Sequence, residues 1–256
     1  LGSRVGYSLA IGNFNNDSYS DLAIGAWAGG TSVRSGRVYL IYGNSNLPTQ
    51  FNLTDNGGNL TLQGITSSDN LGSAITFGDV NGDGIEDLLV GAKGAINHSG
   101  EYQSGEAYVL YGSSNNLTGT LNSTQANVTF FVQKSSASLA DKKGLTTGDV
   151  NQDGYDDILV AGTNEGSSYF VYGSATLPSL INLSSAANFT LEIGSFVGAS
   201  SNFIAAGLIK KNQKLYCIDT WQNDAMTEGN KDTFSLFSDH TRKYSEKIIT
   251  IRQWSH

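Results

Sequence analysis

The sequence predicts a mainly β protein: a partial β-propeller of about three blades, followed by a truncated α/β segment of Rossmann-like order. Three observations predict it: an acidic loop motif that occurs three times, short apolar runs between the copies, and a change of composition near residue 190. The segment GNFNNDSYSDLAIGA (Gly12 to Ala26) returns without gaps as GDVNGDGIEDLLVGA (Gly78 to Ala92) and GDVNQDGYDDILVAG (Gly148 to Gly162). The copies lie 66 and 70 residues apart, and self-similarity at such a period marks an array whose units bury their faces against one another.

Each copy is followed by a second landmark: RVYLIYG ending at Gly43, EAYVLYG ending at Gly112 and SYFVYG ending at Gly173. Apolar residues such as Leu22, Ile24, Val38, Leu40 and Tyr42 alternate or cluster with Gly and Asn at their edges, which is the pattern of strands. NLTLQG (Asn59 to Gly64) matches NVTFFVQ (Asn127 to Gln133) and NFTLEIG (Asn188 to Gly194) weakly, and LGSAITFGD (Leu71 to Asp79) echoes VGYSLAIGN (Val5 to Asn13). Each period thus supplies about four short strands, the content of a propeller blade.

Composition narrows the function. The formal charge of −8 opposes a nucleic-acid surface, which needs clustered Lys and Arg, and suits cation binding. Residues 1 to 190 hold 16 acids against 7 bases, whereas residues 191 to 256 hold 7 against 8. Cys217 is the single cysteine, so no intrachain disulfide forms. No run reaches the roughly 18 apolar residues of a membrane helix, and no signal peptide is visible in a chain whose first residue already lies inside a repeat. His98, His240 and His256 have no metal or triad partners at recognisable spacing. Sequons begin at Asn52, Asn59, Asn116, Asn122, Asn127 and Asn188, though a chain rich in Asn, Ser and Thr generates such triplets by composition.

The loops of the second and third copies read DxNxDGxxD, with Asp79, Asn81, Asp83, Gly84 and Asp87, then Asp149, Asn151, Asp153, Gly154 and Asp157. Calcium takes six to eight hard oxygens, and a tight loop presenting every second side chain inward supplies them from one short segment. The carbonyls of Ile85 and Tyr155 fall at the seventh position and complete the set. The twelfth position, a bidentate Glu in a helix-loop-helix calcium site, is here Val90 or Val160 inside an apolar run. The first copy is degraded: Asn13, Asn15, Asp17 and Asp21 with the carbonyl of Tyr19 would ligate, while Ser18 replaces the glycine, and a weaker site is expected. The competing reading is that these residues only cap β-turns.

These motifs resemble the FG-GAP repeats of the integrin alpha-subunit propeller and its bacterial relatives over residues 1 to 190. The resemblance implies a seven-bladed propeller, Ca²⁺ in the acidic loops on the face away from the usual ligand surface, and metals that rigidify the blades. It implies a binding or adhesion role at the cell surface or outside the cell, with a protein or glycan partner on the propeller loops. Fewer than three whole blades are present where closure takes about four to eight, so a fragment or an open array is expected.

Residues 191 to 256 form a second expected domain. Leu191 to Gly194 reads as a strand end, Gly198 and Ser200 as a turn, Asn202 to Lys210 as a helix, and Lys214 to Ile218 as a strand closed by Asp219. In such an order glycines admit a ligand to the backbone, and the acid closing the second strand accepts hydrogen bonds from ribose hydroxyls. EIGSFVGAS and YCIDTW are similar to the first two motifs of class I S-adenosylmethionine-dependent methyltransferases. That likeness implies S-adenosylmethionine held by Glu192, Gly194, Gly198, Ser200 and Asp219. With a further helix in Lys231 to Tyr244 and a strand at Ile248 to Ile251, the segment is short of the strands an intact enzyme needs, and no activity is expected. Two other origins fit: a methyltransferase with an accessory propeller, or two partial reading frames joined near Leu191.

Overall fold

A computed structural model describes residues 3–53, 57–96, 100–142, 144–164 and 166–183, and the backbone of strands 189–193, 214–219 and 248–252. The chain divides between Ala186 and Ala187 into two compact units. The blades of the first are built from antiparallel strands, as the frequent turns and short apolar runs require.

Its first blade contains β1 (Leu9–Gly12), β2 (Asp21–Ala26), β3 (Arg37–Ile41) and β4 (Leu60–Gln63), hydrogen-bonded in that order. The second contains β5 (Leu71–Gly78), β6 (Asp87–Ala92), β7 (Glu106–Leu110) and β9 (Val128–Phe131), and the third β10 (Leu145–Gly148), β11 (Asp157–Gly162) and β12 (Ser167–Val171). Each acidic motif is the hairpin loop between the first two strands of its blade. All three loops spring from the same paired residues, Gly12 with Asp21, Gly78 with Asp87 and Gly148 with Asp157. Blade packing explains that glycine. A Cβ at Gly12 would lie 2.3 Å from the Phe77 ring of the second blade, and one at Gly78 would meet Thr147 and Asp156 of the third.

Every residue of β6 is buried, because the middle blade is covered on both faces. This is why DLLVGA is a continuous apolar run and not a half-buried alternation. Phe14, Leu40, Leu60, Leu62, Leu71, Leu88 and Val90 belong to one core shared by the first two blades. The outermost faces of the array are different. Leu9 and Ile11 are 62% and 73% exposed, and Val150 is 49% exposed, whereas Phe14 and Val80, its counterparts in the other loops, are fully buried beneath the next blade.

Two strands stand outside the four-strand expectation. β8 (Gly119–Asn122) leaves the second blade and pairs in parallel with β4 of the first, and β13 (Leu180–Asn182) leaves the third and pairs in parallel with β9 of the second. The second and third blades therefore each send a short strap onto the outer edge of the blade before.

The expected fourth strand of the third blade is placed elsewhere. β14 (Phe189–Ile193) belongs to the second unit and pairs in parallel with β15 (Lys214–Asp219), which pairs in parallel with β16 (Ile248–Arg252). FTLEI, KLYCID and IITIR are near-continuous runs with Ile, Leu and Tyr, the composition of parallel strands covered on both faces. The helices expected at Asn202 to Lys210 and Lys231 to Tyr244 lie outside the described residues.

Candidate functional site: the acidic hairpin loops

The loops are shaped by their own side chains. In the second loop Asp79 Oδ1 accepts the N–H groups of Gly82 and Asp83 at 2.8 and 3.1 Å, and Oδ2 accepts that of Gly84 at 2.8 Å. Asn81 accepts from the Asp83 N–H at 2.9 Å and donates its amide to the Asp83 carboxylate at 3.1 Å, while Asp83 accepts from the Ile85 N–H at 2.9 Å. The third loop repeats the pattern: Asp149 accepts from Asp153 and Gly154, Asn151 bonds Asp153 twice, and Asp153 accepts from Tyr155. Short acceptors that satisfy backbone donors inside a turn fold the loop without help from distant residues.

The sixth position separates the copies. Gly84 and Gly154 hold φ of +82° and +89°, a region open to glycine at little cost, while Ser18 is absent from the positive-φ residues. The Asn13 side chain meanwhile bonds Asp17 through both its amide oxygen and its amide nitrogen. The first loop is thus a different turn as well as a less acidic one. Asn15 is buried and bonded to Asp17 and to Asn116, and Tyr19 is exposed and donates its backbone N–H to Asp17.

The ninth-position acids form the buried floor. Asp21, Asp87 and Asp157 are all buried. One oxygen of each accepts the N–H of the second loop residue, from Phe14 at 2.8 Å, Val80 at 3.0 Å and Val150 at 3.0 Å. The other accepts the glycine N–H that ends the second landmark, from Gly43 at 2.9 Å, Gly112 at 2.9 Å and Gly173 at 3.0 Å. Burial pushes the Asp87 carboxyl up to about 7 against the lowering effect of its two N–H donors, and the nearby Asp83 and Asp79 charges push it further the same way. Asp21 and Asp157 are raised as well, first by burial.

Among the described residues no three acidic, histidine or cysteine side chains converge as a ready cage. The donor set of each strong loop nevertheless suits a hard cation: three carboxylates, one Asn amide oxygen and one backbone carbonyl, all oxygen, within nine residues. The backbone curve is already set, and the charges of Asp79 and Asp83 act on Asp87, as those of Asp149 and Asp153 act on Asp157, to favour its protonated form, a repulsion a divalent ion would relieve.

One set of functional residues carries no calcium motif. The eighth-position acids Glu86 and Asp156 reach back to the preceding loop and accept the first-position N–H groups, Glu86 from Asn13 and Asp156 from Asp79 at 2.9 Å. Ser113 and Ser174 donate their N–H groups to the Phe14 and Val80 carbonyls, both at 2.9 Å. The doublets Glu86-Asp87 and Asp156-Asp157 were the available signal, one acid for the neighbouring blade and one for its own. Glu192 and Asp219 lie in β14 and at the end of β15, and Gly194, Gly198 and Ser200 lie outside the described residues.

Residues 5–41 and 71–110 match the family model of the FG-GAP repeat, and each matched stretch takes in one acidic loop with the strands on either side of it. Among curated proteins the chain is similar to phosphatidylinositol-glycan-specific phospholipase D of Bos taurus, 35% identical over 161 residues, which is 62% of this chain and 18% of that protein. It is 32% identical to integrin alpha-PS2 of Drosophila melanogaster over 170 residues, 64% of this chain and 11% of that one. Integrin alpha-5 of Xenopus laevis is 30% identical over 162 residues, 62% of this chain and 14% of that one. The chain spans less than a fifth of the length of each of these relatives. Neither stretch matched by the family model reaches residues 187 to 256.

Proposed function

We propose that the first unit is a calcium-braced binding module of an extracellular or cell-surface protein, in which metal holds the hairpin loops and the loops at the strand ends meet a protein or glycan partner. The observation that carries it is the threefold buried aspartate, Asp21, Asp87 and Asp157, locked between its own loop and the end of its own third strand. Ca²⁺ would be held in the second loop by Asp79, Asn81, Asp83, Asp87 and the Ile85 carbonyl. The third would use Asp149, Asn151, Asp153, Asp157 and the Tyr155 carbonyl, and the first, more weakly, Asn13, Asn15, Asp17, Asp21 and the Tyr19 carbonyl. The ion's contribution is charge neutralisation and bracing. Thermal unfolding in Ca²⁺ against EDTA tests the reading: Ca²⁺ raises the midpoint, and Asp83→Ala with Asp153→Ala removes most of the gain. Superimposable curves would end it.

A second reading concerns the second unit alone. Its three strands are parallel and ordered β14, β15, β16, and Asp219 closes the middle strand at the carboxyl edge, where open α/β sheets bind nucleotide-like ligands. This supports a methyltransferase-like origin with S-adenosylmethionine held by Glu192, Gly194, Gly198, Ser200 and Asp219. Calorimetric titration with S-adenosylmethionine decides it: heat that is lost in Asp219→Ala supports the site, and no heat rejects it.

A further inference from the structure

In the first unit every described Lys and Arg sits at one end of the strands. Arg4 precedes β1, Arg34 and Arg37 enter β3, Lys93 follows β6, Lys134 follows β9 and Lys142 precedes β10. The acidic hairpins occupy the other end. Asp69, Glu101, Glu106 and Asp141 stand at the basic end too, so among the described residues it holds six cations against four carboxylates, a small positive excess in a unit whose net charge is negative.

At that end a cavity of about 370 Å³ is lined by Arg4, Trp27, Thr31, Ser32 and Arg34, among others. The Arg4 guanidinium lies 5.0 Å from the centre of the Trp27 ring, and the Lys93 ammonium lies 5.3 Å from that ring and 5.9 Å from the ring of Tyr7. Tyr7 packs edge-on against Trp27 with ring centres 5.8 Å apart. Lys93 is neutralised by Asp141 at 3.1 Å, whereas neither Arg4 nor Arg34 has a carboxylate partner among the described residues. The Trp27 Nε1–H is shut off from solvent and has no hydrogen-bond partner among the described residues. Arg4 and Arg34 both hold left-handed backbone, with φ of 53° and 57°, a conformation that costs an L residue roughly 1 kcal/mol or more.

We infer that this cavity is a receptor for a single carboxylate, the Asp or Glu side chain of a partner protein's extended segment. Two unpaired guanidiniums match one carboxylate through parallel N–H donors. The hydroxyls of Thr31 and Ser32, which line the same cavity, add neutral donors. A sugar would need a free aromatic face to stack on, and cations already lie over the Trp27 ring. A polyanionic chain would need a line of cations, and this is one compact cavity.

The inference deepens the binding-module reading by naming the partner's chemistry. It fails independently of the calcium sites, which lie at the other end of the strands. The test is a titration of the ¹⁵N-labelled full chain in Ca²⁺ with acetyl-Gly-Asp-Gly-amide, following the Trp27 indole cross-peak, assigned by its loss in Trp27→Phe. The Asp peptide is expected to move that peak and saturate at millimolar concentration, while acetyl-Gly-Asn-Gly-amide binds roughly tenfold more weakly. Arg34→Gly keeps the left-handed backbone without strain, so it should fold and still weaken the Asp peptide roughly tenfold, as should Arg4→Ala. Equal shifts from the two peptides, or unchanged binding in both variants, would overturn the inference. So would a sulfated oligosaccharide that moves the same peak at lower concentration than the peptide.

Discussion

The Asp87 carboxylate accepts the Gly112 N–H at 2.9 Å across 25 residues of chain, joining the floor of the acidic loop to the end of β7. Its other oxygen holds Val80 at 3.0 Å, and the same pair of bonds recurs at Asp21 and Asp157. The motif's last acid is thus the covalently distant, physically adjacent link between the two sequence landmarks of each repeat.

Asp87→Asn presents an amide N–H₂ where one backbone N–H needs an acceptor. With a buried donor left unsatisfied, a loss of about 2 kcal/mol is expected, or roughly 4–8 °C in the midpoint for a domain of this size. Urea or thermal unfolding of the variant in EDTA measures it; a change within about 0.5 kcal/mol, the range of an ordinary surface substitution, would show that the tie is not structural.

Asp87 also gives a pH signature. In the unfolded chain its carboxyl loses its proton near 3.8, and in the folded metal-free protein near 7, so the folded state binds the extra proton between those values. That stabilisation is complete below pH 3.8 and is lost as pH rises to about 7. In EDTA the wild-type advantage over Asp87→Asn should therefore shrink from pH 4 to pH 7, and the Ca²⁺-dependent gain should grow over the same window as the ion displaces the proton. Melting curves of both proteins at a series of pH values check both slopes.

Asp156 accepts the Asp79 N–H of the preceding blade, and its own N–H donates to the Asp79 carbonyl at 2.8 Å. Asp156→Ala removes the first bond and keeps the second, with an expected cost of about 1–2 kcal/mol. Hydrogen exchange should show the Asp79 amide losing protection while the amides of β6 stay slow. Uniform loss across the unit would contradict a local latch.

The first loop can be repaired if its weakness has the two causes assigned to it. Asn13→Asp with Ser18→Gly restores the first carboxylate and the glycine at the sixth position. Calcium titration of this double variant should show one more tight equivalent than the parent, and an unchanged stoichiometry would place the defect elsewhere.

The blades and the loops were legible because both obey short-range rules. An oxygen ligand at alternate positions with Gly84 or Gly154 at the turn, and apolar runs bounded by turn residues, leave a pattern within nine residues. The straps β8 and β13 left none, since a strand of three or four residues added in parallel to a neighbour's edge has too little length for a period. The basic-aromatic cavity joins Arg4, ahead of β1, to Trp27 and Arg34, beyond β2, and only the folding of the first blade brings them together. NFTLEIG illustrates a conflict: it matches the blades' fourth strand, yet its apolar run pairs with Lys214–Asp219 in a parallel sheet.

Calcium titration calorimetry of the intact chain, stripped with EDTA and dialysed, tests the central claim most directly. Two equivalents with submillimolar affinity, the upper part of the range for extracellular calcium modules, and a third weaker one are expected, with the tight events lost in the variant carrying both Asp83→Ala and Asp153→Ala. A flat titration, or full stoichiometry retained in that variant, would contradict it.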